Sequence, residues 1–415
     1  MEATATRPLP DDLPHAALKA RVRDALVRVW PEVVALSRTL HARPELGYAE
    51  FAAARHAAAL LGRHGFEVDL GIARMPTAFR AVRRAGDGPT VALLAELDAV
   101  QLVDAKRPSW ETIGHGCGHN VMTAAAVGAA LALAGTGSDV GGRVAVFGTP
   151  AEETGFRSGG KELLRRHGWF NGVAAAMQIH PADRDYVARP LWPAWSAFEL
   201  RFRSTSERPL TWSSAEPHPF ERVVDAMRSV VPMAERLDVQ APPAGDDWSV
   251  ADRTELRVTM QLRADGIRGL ERLEDDTLRA ATALAAPLGL EVASALVRNR
   301  YDGMVDNPVL ADAFMRNAAA MGRPFEPSAH PDIASLGDMG NVSRAVPSIH
   351  PFVGLGARVP GHSSRFAELV AGDAGEAALW TGALGMAWTC LDVLVDAGVR
   401  ASAWEAYLVD PRIDS

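Results

Sequence analysis

Gly114-His115-Gly116-Cys117-Gly118-His119-Asn120 sets a thiol and an imidazole two residues apart in a glycine-rich turn. Thiolate and imidazole are good ligands for zinc-type cations, and at this spacing both can face one ion. A second candidate is Thr149-Pro150-Ala151-Glu152-Glu153-Thr154-Gly155, directly after the apolar run Val144 to Phe147. Carboxylates at the C-terminal end of a strand stand where α/β folds carry their sites. Adjacent side chains diverge, so one of the pair can hold metal while the other faces substrate as a general base. His180 follows the apolar run Ala174 to Ile179, and His362 stands in Gly361-His362-Ser363-Ser364. Each signal alone has a plainer counterpart: an incidental glycine loop, a solvated acidic turn, a capped core histidine. Together, Cys117, His119, Glu153, His180 and His362 suit two metals sharing a bridging water, with Glu152 as a free carboxylate. Metal brings the pKa of such a water toward neutrality, and the carboxylate takes its proton.

These residues need a scaffold. Helical periodicity runs from Leu18 to Leu40, with Val22, Leu26, Val29, Val33 and Leu36 on one face. Phe51 to His64, Val121 to Ala134 and Gly160 to His167 also read as helices. The runs Thr90 to Leu94, Arg143 to Phe147 and Ala174 to Ile179 read as buried strands. Strands alternating with helices predict an α/β domain with a mostly parallel sheet. Near residue 195 the pattern changes. Ser196 to Arg203 alternates apolar and polar, a helix follows over Phe220 to Leu237, and Glu255 to Arg263 alternates again. Ile267 to Leu288 is helical and Glu291 to Val297 a strand, completing a β-α-β-β-α-β-like insert. The α/β character then returns with a helix over Asn307 to Met321, a strand over Ser348 to Leu355 and a long helix over Gly372 to Ala397. The tail from Ala401 is expected to pack loosely.

With 415 residues, 48% of them hydrophobic, the chain can bury a large core. Its net charge of −8 argues against nucleic acid or an anionic membrane as partner. Two distant cysteines make no disulfide framework and fit a reducing compartment. The first residues have neither a basic n-region nor an apolar h-region. A soluble, cytoplasmic protein is expected.

The motifs, in order along the chain, resemble the aminoacylase and carboxypeptidase-type family of dinuclear metallopeptidases. They are His41-Ala42-Arg43-Pro44-Glu45-Leu46-Gly47 with Glu50, Glu96-Leu97-Asp98-Ala99, the Cys-Gly-His-Asn turn, Pro150-Ala151-Glu152-Glu153, His180 and His362-Ser363. Within that family they resemble the amidohydrolase branch, and the stretch Asp338-Met339-Gly340-Asn341-Val342-Ser343, with Pro347-Ser348-Ile349-His350-Pro351, is most similar to that branch's aminobenzoyl-glutamate hydrolase group. That branch includes aminobenzoyl-glutamate hydrolase, hippurate hydrolase and auxin-conjugate hydrolases.

The resemblance implies that Cys117, His119, Glu153, His180 and His362 bind two divalent ions, manganese or zinc with cobalt as a further candidate. It makes Glu152 the general base and then the acid that protonates the leaving amine. Asp98 would orient a ligand from behind. His41 and His350 are read as structural. The implied fold is a mixed-sheet α/β catalytic domain, residues 1–194 and 300–415. An inserted ferredoxin-like α+β domain, residues 195–299, would serve as lid and homodimer interface.

Two departures stand out. The loop from Val100 to Ile113 is longer than the family's and carries Trp110. In the lid, where relatives place an oxyanion-binding histidine, alignment on Pro217 and Val223-Val224-Asp225-Ala226 finds Trp212, with His218 nearby. Losing that donor costs about 3 kcal/mol of oxyanion stabilisation. The expected activity is therefore hydrolysis of an amide in a small N-acyl or aromatic molecule rather than of an ordinary peptide. The alternative is hydrolytic deamination of a small amino-aromatic acid, such as a nitroanthranilate-type compound. A non-catalytic binding protein would be expected to have lost Glu152 or a ligand, and none is lost.

Overall fold

The computed structural model describes residues 8–104, 112–153, 158–188, 193–204, 236–240, 255–328 and 337–413. The chain forms two compact units, Met1–Leu191 with Met304–Asp414, and Trp192–Gly303.

The larger unit is built on a six-stranded mixed sheet. Its strands lie in the order Glu67–Leu70, Phe79–Arg84, Arg143–Thr149, Thr90–Glu96, Val173–Met177 and Ser348–Ile349. Thr90–Glu96 is central. It pairs in parallel with Arg143–Thr149 through Val91 and Val144, and with Val173–Met177 through Leu93 and Met177. Six of its seven residues are buried, which explains a continuous apolar run instead of an alternating one. The first two strands are antiparallel to their neighbours. Their sequences, Glu-Val-Asp-Leu and Phe-Arg-Ala-Val-Arg-Arg, carry too much charge to stand out as strands.

Helices cover the sheet. Ala16–Ala42 packs on His119–Ala134, as does Asp373–Val395. His119–Ala134 is rich in alanine and almost wholly buried, so neighbours approach it closely. Asp373–Val395 is long and apolar enough to cross a membrane, yet 94% of its most apolar window is buried inside this unit. One polar network crosses the helix layer: Lys19 Nζ donates to Asn317 Oδ1 at 2.7 Å and pairs with Asp392 at 2.8 Å.

Two expectations for this unit need correction. The run Ser348 to Leu355 is not one strand. Ser348–Ile349 finishes the main sheet, whereas Pro351–Gly354 pairs with His180–Ala182 and Tyr186–Ala188 in a second sheet. Pro351 has no N–H for the first ladder, so the chain changes sheet there. The tail from Ala401 is not loose. Asp396 ends the long helix and caps a new one, Ala397–Leu408, by accepting from the N–H groups of Gly398 and Val399. Tyr407 Oη then donates to the Arg344 carbonyl at 2.7 Å.

The smaller unit has an antiparallel sheet in the order Arg236–Gln240, Glu255–Ala264, Ala194–Ser204, Leu290–Leu296. The helix Gly266–Ala285 packs on one face, closing a core of Phe198, Leu200, Phe202, Val258, Met260, Leu262 and Leu270. Most of the helix expected over Phe220 to Leu237 lies outside the described residues. Its last two positions are strand: Arg236 pairs with Gln261 and Leu237 with Met260.

Candidate metal centre

The strands of the main sheet deliver the donors. Thr90–Glu96 runs into Leu97-Asp98, Arg143–Thr149 into Pro150 to Glu153, and Val173–Met177 toward His180. Cys117 and His119 stand at the N-terminal end of His119–Ala134. The glycines of this turn have distinct reasons. A Cβ on Gly116 would lie 2.9 Å from the His362 Cα, and Gly118 has φ +87° with Pro181 against it. The His362 N–H donates to the Gly116 carbonyl at 2.8 Å, which seats the histidine loop on the turn.

All five expected ligands meet. Cys117 Sγ lies 3.1 Å from His180 Nε2, and His362 Nε2 lies 2.9 Å from Glu153 Oε1. The donor atoms of Cys117, His119 and His180 fall within 4.8 Å of one another, as do those of Cys117, Glu153 and His362. Cys117 thus joins two trios. A third trio combines His119 with Glu96 and Glu152.

The imidazoles are oriented for ligation. His119 Nδ1 donates to the Asp98 carbonyl at 2.8 Å, and His180 Nδ1 to the Pro181 carbonyl at 2.6 Å. Each arrangement turns an Nε2 lone pair into the cluster. Asp98 also braces Glu153 by accepting its N–H at 2.9 Å, and its Oδ1 lies 3.2 Å from His119 Nδ1. His119 Nε2 is buried and lies 3.0 Å from Glu96 Oε2. A thiol, three imidazoles and a carboxylate gathered in two trios that share Cys117 fit borderline divalent cations.

The electrostatics separate the two glutamates. Burial opposes charge on Glu153, yet the adjacent His362 ring holds it down to about 2. Burial, then Glu153 and Glu96, push Glu152 well above the usual carboxylate range, with Lys161 pulling the other way. The Cys117 thiol is raised by burial and by Glu153. A side chain at Gly337 would meet Glu152 Oε1 at 3.1 Å, so backbone closes one side of that carboxylate. The turn that carries the pair is strained at Ala151, φ 54°. Buried Glu50 holds it, accepting from Ala151 N–H and from Thr77 Oγ1, each at 2.8 Å.

Other expected residues stand apart. His41 Nε2 faces the Ala367 carbonyl at 2.9 Å, and the buried His350 ring stacks on Phe352 beside His180. Trp110, Trp212 and His218 lie outside the described residues. The reading of the sequence missed a buried ionic cluster. Lys161 Nζ sits 2.5 Å from both Glu96 Oε1 and Asp338 Oδ1, and all three residues are buried. Glu96 and Asp338 fall inside the family motifs, but nothing local marks Lys161 as their partner.

The model of peptidase family M20/M25/M40 matches residues 92–379. The Xaa-Arg dipeptidase of Mus musculus is 27% identical over 91% of this chain and 89% of its own length. One of the p-aminobenzoyl-glutamate hydrolase subunits of Escherichia coli K12 is 38% identical over 33% of this chain and 30% of its own. Among solved structures, an aminobenzoyl-glutamate utilization protein from Klebsiella pneumoniae has a TM-score of 0.66 at 15% identity, covering 90% of this chain and 98% of that one. A dinuclear metal binding peptidase from Bacillus subtilis has a TM-score of 0.64 at 19% identity, over 90% and 99%. At these identities the two structures share the fold.

Proposed function

The chain belongs to peptidase family M20/M25/M40, and from that premise we propose that it hydrolyses the amide of a small N-acyl or aromatic substrate at a centre of two divalent cations. The convergence of Cys117, His119, Glu153, His180 and His362, with Glu152 alongside, carries the reading. Bound cations supply there a water acidic enough to lose its proton near neutral pH and a positive charge for the carbonyl oxygen. Glu152 accepts the water's proton and passes it to the departing amine. Its raised affinity for a proton suits the second half of that cycle. Glu153, held ionised by His362, serves as a ligand, and Asp98 orients His119 from behind.

For the substrate, the name of the Escherichia coli relative supports an aromatic acyl-amino acid, whereas the mouse relative's name supports a dipeptide. We favour the aromatic amide, because the sequence alignment sets Trp212, an aromatic residue, where relatives carry a polar donor. Deamination rests on Trp212 alone, and no described residue adds to it. A screen of purified, metal-loaded protein against aminobenzoyl-glutamate, acyl-amino acids, dipeptides ending in arginine and amino-aromatic acids decides the matter, with ammonia read separately. Cleavage of aminobenzoyl-glutamate or another aromatic amide is expected. Ammonia release from an amino-aromatic acid without amide cleavage would replace this reading with deamination.

The smaller unit is assigned as the ferredoxin-like lid and homodimer interface. Leu290–Leu296 lies at the edge of this sheet among the described residues, a natural pairing surface for a second copy. Light scattering is expected to give a dimer, and a fully active monomer would remove the assignment. Both cysteines are free thiols, which supports a cytoplasmic setting.

A further inference from the structure

Glu96 belongs to no part of the ligand set above. It ends the central strand, 3% exposed, and its two carboxylate oxygens face different ways. Oε1 accepts from Lys161 Nζ at 2.5 Å and from Gln178 Nε2 at 2.7 Å. Lys161 is itself fixed by Asp338, which takes its side chain at 2.5 Å and its backbone N–H at 2.8 Å. Oε2 points the other way and lies 3.0 Å from His119 Nε2. That nitrogen is the one the ring keeps for the cluster, because Nδ1 is spent on Asp98. At that distance the nitrogen and the carboxylate oxygen share a cation, a proton on the imidazole in the metal-free chain and a metal ion once one is bound. The separation is that of donors in adjacent positions around one metal ion, each about 2.0 to 2.2 Å from it.

Resting on the metallohydrolase reading, we propose that Glu96 is a further protein ligand, giving Oε2 to the divalent cation that His119 binds while Lys161 and Gln178 hold Oε1. The donor atoms of Glu96, His119 and Glu152 lie within 4.8 Å of one another, so this cation would stand beside the general base. Lys161 has a definite part. An ammonium on one oxygen fixes the rotamer and lowers the cost of keeping a carboxylate ionised in the interior. It also lowers the donor strength of that carboxylate, making Glu96 a weaker ligand than Glu153. The lysine is therefore a positioning residue, acting through Glu96.

The test is a cobalt titration of the full chain, stripped of metal and followed by calorimetry and by the visible absorption of bound Co2+. Wild type, Glu96→Gln and Cys117→Ser are compared, with circular dichroism to verify folding. The wild type is expected to take up two ions. In Glu96→Gln one of them should bind at least about tenfold more weakly, and its absorption bands should shift because a carboxylate has left the coordination sphere. A supporting residue behind the ligands would weaken binding without moving the bands. Wild-type affinity and spectrum in folded Glu96→Gln, with binding lost in Cys117→Ser, would overturn this inference and leave the metallohydrolase reading standing. Failure of the wild type to bind cobalt would overturn both. If Glu96→Gln does not fold, Glu96→Asp is read in the same way. It keeps a charge for Lys161 but retracts the carboxylate from His119.

Discussion

Replacing Glu50 with glutamine should change how stability depends on pH, by an amount the structure fixes. Glu50 is fully buried beneath the turn that carries Glu152 and Glu153. Burial, with a smaller contribution from Asp98, raises its carboxyl from 4.5 to about 7, against the pull of its hydrogen bonds. Between these values the folded chain keeps a proton that the unfolded chain has released. Stability therefore falls as pH rises from 4.5 toward 7. At 1.36 kcal/mol per pKa unit, this one group removes about 3 kcal/mol across the window. Glutamine resembles the neutral acid. Its oxygen can accept from Ala151 and its amide can donate to Thr77, yet it does not titrate. Glu50→Gln should match wild type near pH 4.5 and exceed it above pH 7 by up to about 3 kcal/mol. At roughly 2 °C per kcal/mol for a chain this long, that is a Tm gain of about 6 °C. Differential scanning calorimetry of both proteins from pH 4.5 to 8, in chelator, measures the difference and cancels the titrations they share. A difference in Tm that stays constant with pH would refute the reasoning.

Further outcomes follow from the same contacts. Glu152→Gln should lower kcat by about 100- to 10,000-fold with near-normal metal content, whereas Glu153→Gln should lose metal by elemental analysis. Gly337→Val adds atoms where a Cβ alone would already press on Glu152 Oε1. A misplacement of about 1 Å can cost on the order of 100-fold, so steady-state kinetics should show kcat falling while metal content holds. Lys19→Met would leave Asp392 buried without its cation, and chemical denaturation should register a loss of about 3 to 5 kcal/mol.

The parts legible in the sequence are those whose signal is local. The central strands show as apolar runs because both faces are buried. Cys117, His119, Glu152 and Glu153 show because ligand types crowd into short turns, and His180 and His362 because motif order ties them to those turns. The strands Glu67–Leu70, at the sheet's edge, and Phe79–Arg84, beside it, stayed hidden because their partly exposed positions tolerate charge. The break at His350-Pro351 depends on a missing N–H rather than on hydrophobicity. The partnership of Lys161 with Glu96 and Asp338 spans 65 and 177 residues, so no spacing rule could disclose it. Glu50 and Ala151 belong to the same class: a remote carboxylate supports a strained turn, and only the fold brings them together.

The central claim is that the donors gathered around Cys117 hold metal without which no carbon–nitrogen bond is cut. It is tested most directly by following turnover of one aromatic amide and metal content in the same sample, through chelation and readdition. The account predicts that activity disappears as the divalent ions leave and returns with added zinc, manganese or cobalt. Full turnover by protein shown by elemental analysis to be free of metal would contradict it.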